Sequence, residues 1–150
     1  MRYRSLYAGI LIGLLLLVIA SMGSGIIGVA VDYGNWQYRM FRGICHQMIE
    51  RSFQINGIPM AVNTRCFGVF TGLFVSWLFI PALKNRVKNK KWPVFFLIIV
   101  VILQIGDYVA GLFSVWNSSN FSRFFMGNLL GAAIVCMIAD QFSAKPKSSK

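Results

Sequence analysis

Between Ser5 and Val31 no charged residue interrupts the chain, and a helix needs only ~20 apolar residues to cross a hydrocarbon core. Three further apolar runs follow, from Cys66 to Leu83, Trp92 to Phe113 and Phe121 to Phe142. In lipid the backbone must satisfy its own hydrogen bonds, so runs of this length are helical. The sequence predicts an all-α polytopic membrane protein with about four transmembrane helices near 6–31, 66–83, 92–113 and 121–142, in a single helical membrane domain over residues 1–142. Composition agrees: 57% of 150 residues are hydrophobic and 13% are charged, outside the usual balance of a soluble domain. No large separate soluble domain is expected within these 150 residues. Arg2 and Arg4 imitate the start of a signal peptide, but such a peptide has an apolar region of only ~7–15 residues, so the first helix is expected to be retained.

The longest mostly polar stretch, Asp32 to Asn63, lies between the first two runs. Within it Trp36, Met40, Ile44 and Met48 recur every fourth residue, and Arg42, His46 and Glu50 share that spacing on another face. This pattern predicts one interfacial amphipathic helix near 36–53, lying along the membrane surface. Asn56, Gly57 and Pro59 break the pattern and turn the chain. At the far end, residues 143–150 form a basic Ser/Lys tail that is expected to be disordered.

Fifteen Lys and Arg against four Asp and Glu give a net charge of +11. On so apolar a chain this excess has to be read by position, because short cytoplasmic segments collect Lys and Arg. With four crossings, Arg2 and Arg4, the basic connection from Lys84 to Lys91, and Lys145, Lys147 and Lys150 fall on one side. That places the protein in the cell (inner or plasma) membrane with both termini cytoplasmic, and it leaves Arg39, Arg42, Arg51, Arg65 and Arg123 at the outer face. The charge is then topological, and no nucleic acid partner is expected. Every Lys is on the inner side, whereas the outer cations are all Arg, whose planar fork suits carboxylate and phosphate.

Asp107 is the one charge of the third run and stands roughly 20 Å from Pro93 at 1.5 Å per residue, toward the outer side. Arg123 opens the fourth run from that side, Arg65 and Cys66 open the second, and Cys45 and His46 approach along the surface. Cys45, His46, Arg51, Arg65, Cys66, Asp107, Asn120 and Arg123 therefore converge on one outer-face pocket by topology. An ionisable group at membrane depth faces the interior and takes a partner, and Arg123 is the partner expected for Asp107. Gly68 with Gly72, and Gly127 with Gly131, are small-x-x-x-small pairs that allow close helix packing.

Three function classes fit these residues. In the first, the pocket binds or modifies an anionic ligand, such as a lipid phosphate, using Arg51, Arg65, Asn120 and Arg123. His46, Cys45 and Asp107 are then the catalytic candidates, with His46 as proton carrier because its ordinary pKa is near neutrality. In the second, Cys45, His46 and Cys66 hold zinc or copper, although adjacent Cys and His point about a quarter-turn apart on a helix. A plain Cys45–Cys66 disulfide is another use of the same thiols in an oxidising compartment. In the third, the protein is a non-enzymatic accessory subunit that docks a membrane protein partner. Membrane lipid, and an anionic small molecule or lipid headgroup, are the expected partners.

Cys45-His46-Gln47, Arg51-Ser52-Phe53, Gly57, and Arg65-Cys66 with Gly68 form a recognisable constellation, continued by Asp107 and by Asn120-x-x-Arg123-x-x-x-Gly127. Together they resemble the uncharacterised prokaryotic membrane-protein family called domain of unknown function 2085, over most of the chain from Ile44 to Gly131. The chain departs from the family pattern at Asn63, where a further Cys would complete a Cys-x-x-Cys; a role needing that thiol does not transfer. The resemblance implies a small helical membrane protein and brings no established reaction.

Overall fold

The computed structural model describes residues 2–26, 36–83, 91–113 and 118–143. In chain order these form α1 (Arg2–Ser21), a 3-10 turn (Gly23–Ile26), α2 (Trp36–Phe41), a second 3-10 turn (Ile49–Arg51), strands β1 (Gln54–Ile55) and β2 (Ile58–Pro59), and helices α3 (Thr64–Leu83), α4 (Lys91–Leu112) and α5 (Asn120–Ser143). The described residues are thus all-α apart from one hairpin of two two-residue strands. Among the described residues three helices are long and apolar enough to cross a membrane, over Thr64–Pro81, Trp92–Gly111 and Asn120–Ile138, and α1 adds a shorter apolar segment, Ser5–Ser21. The basic connection at 84–90 and the tail expected at 143–150, save Ser143 at the end of α5, lie outside the described residues.

The helix predicted near 6–31 ends at Ser21, and residues 27–31 of that run lie outside the described residues. Gly23 takes a left-handed backbone with φ 74°, the usual device for ending a helix. A side chain there would sit 3.0 Å from the backbone nitrogen of Ala61, so both the turn and the close approach require glycine. The Ser21 hydroxyl caps this end by donating to the Val18 carbonyl at 2.6 Å.

α3 and α5 form the central pair. A Cβ on Gly68 or Gly72 would strike the α5 backbone at Phe124 and Asn128, and one on Gly127 or Gly131 would strike the α3 backbone at Arg65 and Val69. The glycines of each helix therefore seat the main chain of the other. The paired positions increase together along both helices, so α3 and α5 run parallel and begin at the same end. Without a hydrophobic drive between helices in lipid, this van der Waals fit is what holds them. The Asn128 amide adds a bond to the Thr71 hydroxyl at 3.1 Å.

α1 runs antiparallel beside α3. At one end the Tyr7 hydroxyl donates to the Trp77 carbonyl at 3.2 Å while the Trp77 indole donates to the Tyr7 carbonyl at 3.3 Å, and the two rings stack at 6.1 Å. At the other end Leu17 and Ala20 pack against a buried cluster of Tyr38, Phe41, Cys45, Ala61 and Val62, joined by Cys66, Phe67 and Phe70. This cluster fastens the segment between α1 and α3 onto the end where α3 and α5 start. α4 lies on the far side, where the Gln104 amide donates to the Met126 carbonyl at 3.1 Å.

Asn56 and Gly57 both have positive φ, 54° and 76°, which is the tight hairpin turn that Asn-Gly favours. It pairs Gln54 with Pro59 and Ile55 with Ile58. The predicted turn at these residues is thus a hairpin, anchored by the Asn56 amide on the Gly25 carbonyl at 3.2 Å and by the Tyr38 hydroxyl on the Pro59 carbonyl at 2.6 Å.

Candidate functional site

The amphipathic helix predicted over 36–53 is much shorter. α2 ends at Phe41, where the N–H groups of Ile44 and Cys45 both close on the Phe41 carbonyl at 3.0 and 2.8 Å. Residues 45–48 then run without regular structure. The apolar stripe read from the sequence, Trp36, Met40, Ile44 and Met48, is exposed, while Tyr38, Phe41 and Cys45 are buried. Tertiary bonds explain the break. Gln47 is held at φ 48°, a region uncommon for residues with a Cβ, and its amide spans the Tyr38 carbonyl at 2.7 Å and the Ala61 carbonyl at 3.0 Å.

This strap turns Cys45 inward. Its sulfur accepts the Asn63 N–H at 3.2 Å, and it bonds further with the Cys66 thiol and the Gln47 backbone. The Cys66 bond pulls the Cys45 thiol well below its ordinary range, to about 6; burial opposes this, while the Asn63 and Gln47 N–H groups and nearby His46 reinforce it. Donors to a sulfur favour its thiolate form. Alkylation of Cys45 by iodoacetamide, located by peptide mapping, is therefore expected to accelerate as pH rises through about 6. An acceleration centred near the ordinary thiol value of ~8.5 would show that these donors do not act on the sulfur.

Cys45 opens onto a cavity of about 530 Å³ at the start of α3 and α5. Every sequence-predicted site residue except Asn120 lines it: Cys45, His46, Arg51, Arg65, Cys66, Asp107 and Arg123. Asn120 instead donates to the Glu50 carbonyl at 3.3 Å, tying the loop to the first turn of α5. His46 is exposed at the rim. Asn63, Thr64 and Tyr108 also line the space and were not singled out as site residues by the sequence.

Asp107 pairs with Arg65, not with the expected Arg123. The Asp107 side chain is only 6% exposed and that of Arg65 is 32% exposed, so the pair bridges α3 and α4 away from bulk water. Arg123 donates through Nε to the Ser118 hydroxyl at 3.0 Å. Arg51 and Arg65 stand close enough to repel its guanidinium, with Asp107 offsetting part of that repulsion. Thr64 is fully buried at the cavity wall, and its hydroxyl has no hydrogen-bond partner among the described residues.

The zinc or copper set of Cys45, His46 and Cys66 is not assembled. Among the described residues no three His, Cys, Asp or Glu side chains come together to hold a metal ion. The three cysteines are free thiols; Cys136 is buried in the body of α5, away from the cavity.

Comparison with known proteins places this architecture. An uncharacterised protein of Methanocaldococcus jannaschii is 38% identical over 109 residues, covering 70% of this chain and 67% of that protein. An uncharacterised protein of Methanothermobacter thermautotrophicus is 31% identical over 97 residues, covering 65% of this chain and 86% of that protein. No solved structure matches. Residues 45–137, which run from the inward-turned cysteine through most of α5, match the family described as "Predicted membrane protein (DUF2085)". The chain belongs to that family of membrane proteins, domain of unknown function 2085.

Proposed function

We propose that the protein binds an anionic ligand, one bearing phosphate or carboxylate, in the cavity at the start of α3 and α5. The observation that carries this is the charge of the cavity wall. Arg65 is balanced by Asp107, while Arg51 and Arg123 line the same space without a carboxylate partner among the described residues. Two parallel helices also begin here, and helix N-termini favour negative charge. The unpartnered Thr64 hydroxyl supplies one more group at the wall. In this reading Arg51 and Arg123 hold the anion and Asp107 positions Arg65. His46, at the rim, is the group able to carry a proton. The charge asymmetry of the sequence assigns the cavity to the outer face of the cell membrane, with both termini cytoplasmic.

A lipid headgroup and a free small anion share this chemistry, and two measurements separate them. A native mass spectrum of the detergent-purified protein retains a phospholipid if the source is lipid, whereas calorimetric titration with glycerol 3-phosphate shows binding if a free anion suffices. Each of Arg51→Ala and Arg123→Ala is expected to weaken the interaction by about tenfold or more, the worth of a charge-assisted hydrogen bond, while the protein stays folded. Unchanged binding in both variants would remove the anion site. Loss of the folded protein would instead mark the arginines as structural.

A further inference from the structure

The anion site leaves two thiols in its wall unused. Cys45 and Cys66 come from different elements, a loop and the first turn of α3, yet both line the cavity and their sulfur groups are hydrogen-bonded to one another. Cys45 also receives the Asn63 N–H at 3.2 Å and bonds with the Gln47 backbone. Gln47 holds a left-handed backbone, φ 48°, and such conformations persist only where the surroundings enforce them. The arrangement is asymmetric. Backbone N–H groups converge on Cys45, which suits it to carry the negative charge, while Cys66 donates its thiol proton and waits beside it. Cys136, by contrast, has neither the cavity nor such neighbours.

We propose that Cys45 and Cys66 form an exchanging dithiol that reduces a disulfide carried by a small anionic molecule held by Arg51 and Arg123. This rests on the anion site proposed above and names its substrate class. The Cys45 thiolate attacks one sulfur of the bound disulfide; a Cys45–ligand disulfide forms, the ligand's own S–S bond breaks, and the first half leaves as a thiolate. Cys66 gives its proton to that leaving thiolate and attacks the Cys45 sulfur. The Cys45–Cys66 bond forms, and the second half leaves as a thiolate that takes a proton from water. Two electrons pass from the protein dithiol to the ligand, so a single reaction leaves one oxidised protein and two small thiols.

The test compares two disulfides that share a backbone and differ in charge: 3,3′-dithiodipropionate, with two carboxylates, and cystamine, with two ammonium groups. With reduced full-length protein in detergent, dithiodipropionate is expected to produce a form two hydrogens lighter, with the bond mapped to Cys45 and Cys66. It should do so about tenfold or more faster than cystamine, the scale of electrostatic steering. Cys66→Ser should stop at a mixed disulfide on Cys45, and Arg123→Ala should erase the preference between reagents. If neither reagent oxidises the pair while glycerol 3-phosphate still binds, the dithiol proposal falls and the anion site stands. Equal rates with the two reagents, unaffected by Arg123→Ala, overturn the assignment of an anionic disulfide as the substrate. A mixed disulfide that accumulates on Cys66 in Cys45→Ser, with none on Cys45 in Cys66→Ser, overturns the assigned order of attack.

Discussion

Gly127→Leu is expected to abolish the folded protein. A Cβ at this position already collides with the Arg65 carbonyl and lies 2.9 Å from the Val69 nitrogen. Both are main-chain atoms of α3 that cannot rotate aside, so the helices must separate. Ordinary overpacking of a core costs about 1–3 kcal/mol because side chains can shift; backbone against backbone removes that relief. The separation would also part the starts of α3 and α5 and with them the cavity wall. Size-exclusion profiles and thermal melting in detergent would measure the effect against Gly9→Leu and Gly106→Leu, whose glycines have nothing within 4 Å of the added carbon. Equal behaviour of all three variants would mean that the glycine contacts do not hold the pair together.

Asp107→Ala is the second large effect. It leaves the Arg65 guanidinium, two-thirds buried, without its counter-charge. Removing one member of a buried ion pair costs about 3–5 kcal/mol, and the partial exposure of Arg65 sets the expectation near the lower figure. Replacing both residues by alanine should recover part of the loss, because the stranded charge goes too. A double variant that melts no higher than Asp107→Ala would show that the pair's partner is not Arg65. The single variant should also loosen α4, which the pair joins to α3.

The three later apolar runs were legible because a membrane core demands long uninterrupted apolarity, and α3, α4 and α5 begin and end within two residues of those runs. The glycine spacing was legible for the same kind of reason: close approach of helices in lipid has few chemical solutions. What failed was rotation and tertiary capture. Depth placed Asp107 level with both Arg65 and Arg123, and nothing in a linear pattern says which way α4 is turned about its axis. The fourfold spacing of Trp36, Met40, Ile44 and Met48 described a real stripe, but an exposed one. The Gln47 strap and the Cys45–Asn63 bond stop α2 at Phe41, and neither contact has a periodicity. The site was therefore visible as a set of side chains and invisible as a set of pairings.

The attachment of α4 has a consequence for the surrounding bilayer. Among its described residues only Pro93 and Val100 are buried, and apart from the face that carries the Gln104 and Asp107 contacts most of this helix is open to the surrounding lipid. Its 22 residues amount to ~33 Å at 1.5 Å each, slightly more than a typical hydrocarbon thickness of ~30 Å. A helix in that position adjusts its tilt to the thickness around it. Since α4 carries Asp107 and Tyr108 into the cavity wall, a change of its tilt is expected to shift that wall, and ligand binding compared in bilayers of short and long acyl chains would check it.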